Sequence, residues 1–416
     1  MNRRVSIFVL FVVMILTTTY PDNALAQNWT LGDAVISEGG MYALTENGTI
    51  VKMTLTGIPE WTIKIPDEIH VLNIVSASDG VLLVGDEVLA KFSTDGDLIW
   101  AKNMSVDDAT ALPNGNVAFT RGNIVGVLDS NGNVLWTGRL TLGRINESLS
   151  SGSVQLTTIT YIEKIIIVAG TASFSEDPKS HIFLAVISLN GTLNWAEVLN
   201  TGYYDRPEES SPLGGYAVFA GVYGGGSDAP WIADYFVLQV SSDGEIKWFN
   251  SYQCPREEDW DDFWSIKVRG VSCNEKMCAL GTTTGTFVID ENGTPLAYLN
   301  TTGKVAEIVD GSLRVLSNGA LLKINPEKNA EAGKCYMGLV PFSEMPVQVE
   351  IRPAEFSAPD VPLNVLVVQR TERSGEEHSG FKPRSEKRWN NGEYVGIAPL
   401  IAVILVVTLM LAKRES

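Results

Sequence analysis

The sequence predicts an all-β fold: a β-propeller of about seven four-stranded blades, followed by a C-terminal transmembrane helix. Three observations carry that expectation. One phrase recurs four times, each copy leaves a tight-turn pair, and about 18 almost wholly apolar residues stand near the C-terminus. The phrase is GDLIW at 96–100, GNVLW at 132–136, GTLNW at 191–195 and GEIKW at 244–248, so the shared pattern is G-x-[LIV]-x-W.

Each copy follows Asp95-Gly96, Asn131-Gly132, Asn190-Gly191 or Asp243-Gly244. Asx-Gly tolerates the positive φ of tight hairpins, which places each Trp on the strand leaving a hairpin. Alternation at period 2 then puts Leu98 with Trp100, Val134 with Trp136, Leu193 with Trp195 and Ile246 with Trp248 on one face. Trp100, Trp136, Trp195 and Trp248 are therefore read as blade-packing side chains.

Successive tryptophans are 36, 59 and 53 residues apart, one supersecondary unit per period with insertions in the later ones. Weaker copies flank them: Trp61 within 58–65, Tyr298 within 295–299 after Asn292-Gly293, and a last unit at 313–324 with Asn318-Gly319 as its turn. Four short strands fit each unit, for example 71–76, 81–85, 88–93 and 97–102, and helical periodicity is nearly absent before residue 395. Four-stranded units at such periods are the signature of propeller blades. Two sandwiches in tandem explain the strands but not the recurrent Trp.

The repeat resembles that of pyrroloquinoline-quinone-type (quinoprotein-like) propellers, over roughly residues 29–330. That family includes quinoprotein dehydrogenases and non-enzymatic surface-anchored scaffolds, so the resemblance implies fold far more strongly than activity. It also implies, for the enzymes, a cofactor held against a Trp and a disulfide of adjacent cysteines, with calcium on acidic and amide side chains. No two cysteines are adjacent here, the nearest being Cys273 and Cys278, so neither cofactor nor metal is expected.

The ends set the topology. Arg3 and Arg4, the apolar run 5–16 and Ala24-Leu25-Ala26 read as a signal peptide over 1–26. The propeller is expected over 27–345, a C-terminal β segment closing or flanking it over 346–368, and a polar stalk over 369–393. A transmembrane helix at 394–412 and a cytoplasmic tail at 413–416 follow. Trp389 and Tyr394 suit an interfacial belt, while Lys382, Arg384, Lys387 and Arg388 place positive charge on the outer side, against the positive-inside trend. The signal peptide decides in favour of a single-pass membrane protein with its propeller outside the cell.

Net charge −18 and a pI near 4.6 repel phosphate backbones and exclude nucleic acid as a partner. Four cysteines in an exported chain allow three pairings. Residues 268–272 and 279–282 read as adjacent strands, which favours Cys273 with Cys278 and leaves Cys254 with Cys335; four free thiols are the alternative. Seven N-x-S/T sequons, at Asn28, Asn47, Asn103, Asn146, Asn190, Asn292 and Asn300, are glycosylation candidates.

Catalytic constellations are scarce. His70, His181 and His378 are scattered without zinc-like spacing, and the Asx-Gly turns lack the length and terminal Glu of a calcium loop. The segment 257–264 sets acidic residues around Trp260 and Trp264, either as a sugar or cation platform or as a solvated loop. Long segments at 174–180, 203–214, 223–234 and 253–262 are expected to be loops on one face, opposite the sequons of Asn190 and Asn292. They carry the candidate ligand-binding set Tyr203, Tyr204, Asp205, Arg206, Glu208, Trp231, Trp260 and Asp261, suited to a saccharide or a basic peptide. The expected function is thus a cell-surface, membrane-anchored module that binds a ligand or a surface protein. An extracellular quinoprotein-like or carbohydrate-active enzyme is the alternative.

Overall fold

A computed structural model describes residues 30–370, apart from 38–39, 56, 144–151, 226–228, 255–265, 310, 327–334, 346 and 364. The expected signal peptide, transmembrane helix and tail lie outside those residues, as does nearly all of the stalk. Among the described residues no helix is long and apolar enough to cross a membrane.

Seven antiparallel sheets follow one another along the chain. Blade 1 holds β1 (Leu31–Ser37), β2 (Gly40–Thr45), β3 (Thr49–Met53) and β4 (Pro59–Lys64). Blade 2 holds β5 (Val71–Ala77), β6 (Gly80–Gly85), β7 (Val88–Ser93) and β8 (Leu98–Asn103). Blade 3 holds β9 (Asp108–Ala111), β10 (Val117–Arg121), β11 (Ile124–Leu128) and β12 (Val134–Leu142). Blade 4 holds β13 (Ser153–Ile162), β14 (Ile165–Phe174), β15 (Asp177–Ser188) and β16 (Leu193–Asn200). Blade 5 holds β17 (Tyr204–Leu213), β18 (Tyr216–Gly225), β19 (Ala229–Ser241) and β20 (Ile246–Gln253). Blade 6 holds β21 (Val268–Asn274), β22 (Met277–Thr282), β23 (Thr286–Asp290) and β24 (Pro295–Leu299), and blade 7 only β25 (Lys304–Val309), β26 (Ser312–Ser317) and β27 (Ala320–Ile324).

A local rule makes the fourth strands. The last apolar residue of six third strands is Met53, Phe92, Leu128, Ile187, Val240 or Ile289, and four places later stands Gly57, Gly96, Gly132, Gly191, Gly244 or Gly293. All six glycines have positive φ, from 81° to 91°. The residue between, when Ser or Asp, caps the turn: Ser93 Oγ accepts the amides of Asp95 and Asp97 at 3.2 and 3.1 Å, and Asp129 Oδ1 those of Asn131 and Asn133 at 2.9 and 2.8 Å.

Gly and Trp of the repeat meet across blades. A Cβ at Gly132 would lie 2.8 Å from Trp100 Cδ2, and one at Gly96 2.9 Å from Trp61 Cδ2. Trp136 packs on Gly191, Trp195 on Gly244 and Trp248 on Gly293 in the same way. Four of these five rings also reach the neighbouring turn: Nε1 of Trp61, Trp100, Trp136 and Trp248 donates to the carbonyls of Thr94, Ser130, Leu189 and Glu291 at 2.7–3.2 Å. The indole therefore covers a bare glycine while its one donor stays satisfied.

Seven separate apolar clusters fill the seven interfaces between successive blades. Ile50 with Leu83 stands between blades 1 and 2, for instance, and Leu31 with Leu316 between blades 1 and 7. The ring closes without a covalent join, with the Leu31 amide donating to the Gly319 carbonyl at 2.9 Å.

The structure corrects the uniform four-stranded expectation. Residues beyond Cys335 form a strap on the outer edges, running backward through the blades. β28 (Tyr336–Leu339) pairs with β20, β29 (Ser343–Met345) with β16, β30 (Val349–Pro353) with β12 and β31 (Leu366–Arg370) with β4, all antiparallel. Blade 2 is crossed by one bridge, Asp360 to Lys102, with an ion pair at 2.6 Å. Blades 1, 3, 4 and 5 thus have five strands, blades 2 and 6 four, and blade 7 three among the described residues. The strap is pinned at its start by the disulfide Cys254–Cys335, whereas Cys273–Cys278 links the opposed ends of β21 and β22. It covers edge backbone that would otherwise invite foreign strands.

Candidate functional site

Two regions gather polar chemistry. In the lumen, six of the seven innermost strands carry a β-bulge near the same level: between Leu31 and Asp33, Val71 and Asn73, Leu156 and Thr158, Pro207 and Glu209, Val268 and Gly270, and Val305 and Glu307. A bulge re-aims side chains, and alternation read from sequence slips by one at it.

Lys304 Nζ pairs with Asp33 Oδ1 at 2.8 Å. Burial opposes its charge, but the carboxyls of Asp33, Glu209 and Asp108 outweigh burial and raise its pKa. Four blades thus contribute to one electrostatic cluster. Asp33 and Asp108 play matched parts. Asp33 accepts the amides of Ala34 and, from the next blade, Ile74 at 2.7 and 2.8 Å, and Asp108 those of Ala109 and, from the next blade, Ile159 at 2.8 and 2.9 Å. Sequence reasoning missed this set; Asp33 and Glu209 each stand seven places ahead of their blade's second strand, but Asp108 stands nine and Lys304 eight places ahead, so no single step marks all four.

Burial in the lumen pushes Glu209 up to about 8 and Asp108 up to about 6, against the opposing pull of Lys304. Protein surrounds the Glu209 carboxyl, while the residue as a whole is half-buried. Both folded pKa values exceed the unfolded ones, so the folded state binds protons more tightly. The stability contributed by these two groups is therefore full below the ordinary carboxyl range and is lost as pH rises through about 6 for Asp108 and about 8 for Glu209. Glu209→Gln is expected to flatten the decline between pH 6 and 8 in thermal melts; an unchanged slope counts against this placement of the proton.

The second region is the upper corner of blades 4 and 5. Their second and third strands have 10, 12, 10 and 13 residues, against five or six in every other blade. Both hairpins extend at the end where second strands turn into third strands, by roughly 13 Å for four residues of strand. Tyr203 stands there, 37% exposed, with its ring edge-on to Tyr223 at 5.7 Å between centroids.

The structure corrects residues 203–214 from loop to strand: Tyr204, Asp205, Arg206 and Glu208 lie on β17, the inner strand of blade 5. Asp205 is fully buried and accepts both bonds from Thr201 Oγ1 at 2.8 and 3.0 Å, and burial holds its pKa well above the usual carboxylate range. Arg206 Nε donates to Glu208 Oε1 at 2.7 Å and Nη2 to the Ile266 carbonyl at 2.8 Å, while Glu208 Oε2 accepts the Val268 amide at 2.6 Å. These three residues hold blade 5 against its neighbours. The backbone of Trp231 is on β19; Trp260 and Asp261 lie outside the described residues. Segments 174–180 and 223–234 likewise prove to be mostly hairpin strand.

His181 Nε2 faces Asp177 at 3.1 Å and is fully buried, and burial lowers its pKa despite that carboxylate. Among the described residues no three His, Cys, Asp or Glu side chains are placed to hold a metal ion. Five sequon asparagines are described, Asn47, Asn103, Asn190, Asn292 and Asn300, and all are exposed. Asn190 and Asn292 occupy third-to-fourth-strand turns, on the end of the ring away from the tall hairpins.

The chain is a seven-bladed β-propeller with a charged lumen and a peripheral strap. Its sequence matches no family model and no curated protein. Among solved structures it is similar to BamB from Moraxella catarrhalis, at 16% identity and TM-score 0.42, covering 70% of this chain and 82% of that one. It is also similar to the Pan2 WD40 domain of Neurospora crassa (11%, TM-score 0.44, 79% and 94%) and to the computationally designed Ika8 protein (12%, TM-score 0.42, 71% and 95%). The ring itself rests on the strand pairing described above.

Proposed function

We propose that the protein is a non-enzymatic interaction module of the pyrroloquinoline-quinone-like propeller type, displayed on the cell surface by a C-terminal transmembrane helix. The observation that supports it best is the pair of tall hairpins on blades 4 and 5, a local departure from an otherwise regular ring. Long elements on a rigid scaffold are where binding resides. The sequence 200–260 that builds blade 5 and its margins contains no sequon. Tyr203 supplies an exposed aromatic ring for a saccharide or a basic peptide, drawn by the chain's negative charge, and Trp231, whose backbone lies on β19 of the same blade, is its candidate partner.

The test uses the full-length protein in detergent on a glycan array and in crosslinking from native membranes. Tyr203→Ala with Trp231→Ala is expected to abolish ligand capture and leave the melting temperature nearly unchanged. Capture that survives the double substitution sinks the blade 4–5 reading, and turnover of an alcohol or sugar with added quinone and calcium sinks the non-enzymatic one.

A further inference from the structure

Where the strap crosses blade 4 it is held by its shortest strand. β29 contributes three residues, with Val198 opposite Met345, Leu199 opposite Glu344 and Asn200 opposite Ser343. Side chains two apart on a strand share a face, so Glu197, Leu199 and Glu344 stand on one side of the sheet, with Glu197 and Glu344 as diagonal neighbours. Long side chains reach each other across that diagonal, and the two carboxyls meet as a hydrogen-bonded pair.

Ionised carboxylates only accept hydrogen bonds. A bond between two of them therefore requires a proton, held on one oxygen and offered to the other. The strap is thus joined to blade 4 through a contact that exists only while that proton is bound. Partial burial of Glu197 and its acidic neighbour act in the same direction, and together they push its carboxyl up to about 7.

The groups around the pair leave that proton in place. Leu184 of β15 stands opposite Glu197, and on the blade 5 side the same face of β16 packs into the cluster of Phe249 and Val340. Charged groups of the adjoining elements are engaged elsewhere. Lys179 donates to the Gly202 carbonyl, His181 faces Asp177, Asp243 accepts from Ser241, Lys247 lies over the Tyr216 ring at 4.7 Å, and Glu350 of β30 pairs with Arg352. Among the described residues, Glu344 is the charged group that acts on Glu197.

Firmer contacts flank this one. On one side Val340 is buried and its amide donates to the Phe249 carbonyl at 3.1 Å, and on the other β30 pairs with β12 over five residues. The three-residue strand between them is therefore free to part on its own when two like charges replace the shared proton.

We propose that Glu197 and Glu344 form a proton-operated latch, which clasps the strap to blade 4 in acid and, in alkali, repels, releases β29 and bares the outer edge of β16. Glu197 binds its proton more tightly in the clasped state than when free. The clasp is accordingly at full strength below the ordinary carboxyl range and is lost as pH rises through about 7.

Hydrogen exchange of the full-length protein in detergent, corrected for the intrinsic rate at each pH, tests the latch. It compares β29 with β28 of the same strap, whose Tyr, Met, Gly and Leu carry nothing that titrates near neutrality. Protection of β29 relative to β28 is expected to fall about tenfold between about pH 5.5 and about 8.5, the worth of one pK unit after allowance for solvent screening at a half-buried site. Glu344→Gln keeps a donor for Glu197 without the charge, and is expected to hold β29 closed at both pH values. Glu344→Lys is expected to invert the slope, because the ammonium attracts Glu197 only once it has ionised. Glu344 is exposed, so neither substitution endangers the fold. A ratio that does not move with pH, or a slope that survives Glu344→Gln, overturns the proposal. So does loosening of β28 by the same factor, which places the pH response in the ring as a whole.

Discussion

Replacing Trp100 by Ala is expected to destabilise the ring by about 3–5 kcal/mol, the cost of emptying a buried aromatic site. Trp100 is 6% exposed, fills the blade 2/blade 3 cluster and spends its Nε1 on Ser130 at 3.0 Å, so packing and a satisfied donor go together. Gly132→Ala attacks the same contact from the other side. It puts a Cβ 2.8 Å from the indole at a φ of 81°, strained for any L side chain, and is expected to cost roughly 1–3 kcal/mol. Since the new methyl's main obstacle is the indole itself, the double variant should be less destabilised than the sum of the two. Additive losses in chemical denaturation would show that Gly and Trp do not act as one lock.

The second large effect is expected at the strap. Cys254–Cys335 spans 81 residues, and a crosslink closing a loop of that size contributes about 4.5 kcal/mol in the chain-entropy picture. Cys273–Cys278 closes only five and contributes about 2 kcal/mol on the same basis. The paired Ser substitution at 254 and 335 should therefore cost about twice as much as that at 273 and 278. It should also raise hydrogen exchange first in β28 and β29, next to the released end. Equal losses from the two pairs, or a strap whose protection is unchanged, would count against the disulfide as the strap's anchor.

The ring was legible because each letter of G-x-[LIV]-x-W answers to one geometric demand. Gly96, Gly132, Gly191 and Gly244 supply positive φ and a bare surface, and the Trp of one blade lies on the glycine of the next. The strap was only partly legible, because strands as short as SEM and YMGL, exposed on their outer side, carry no alternation. The inner strand of blade 5 misled for a physical reason. YDRPEESSPL reads as loop, yet an innermost strand is an edge strand, where Pro207 and Pro212 forfeit no ladder and polar side chains are satisfied by the next blade. Tyr203 was found through loop composition. Asp33 and Glu209 stand at or beside bulges, which shift the period that would have aligned them, whereas Asp108 and Lys304 stand alone among residues that give no repeat signal.

The backward course of the strap decides how the molecule meets a pull on its C-terminus. Tension delivered at Arg370 reaches β31 on blade 1 first, then blades 2, 3, 4 and 5 in turn, each strand held by a few hydrogen bonds that part before the next is loaded. Unravelling halts at Cys335, after releasing about 35 residues or roughly 120 Å of extended chain. Every blade keeps its first three strands and its Trp–Gly contacts throughout. The strap lengthens under strain, and the sulfur bridge at its root then passes the load to Cys254 beside β20, so the tension bypasses blades 6 and 7.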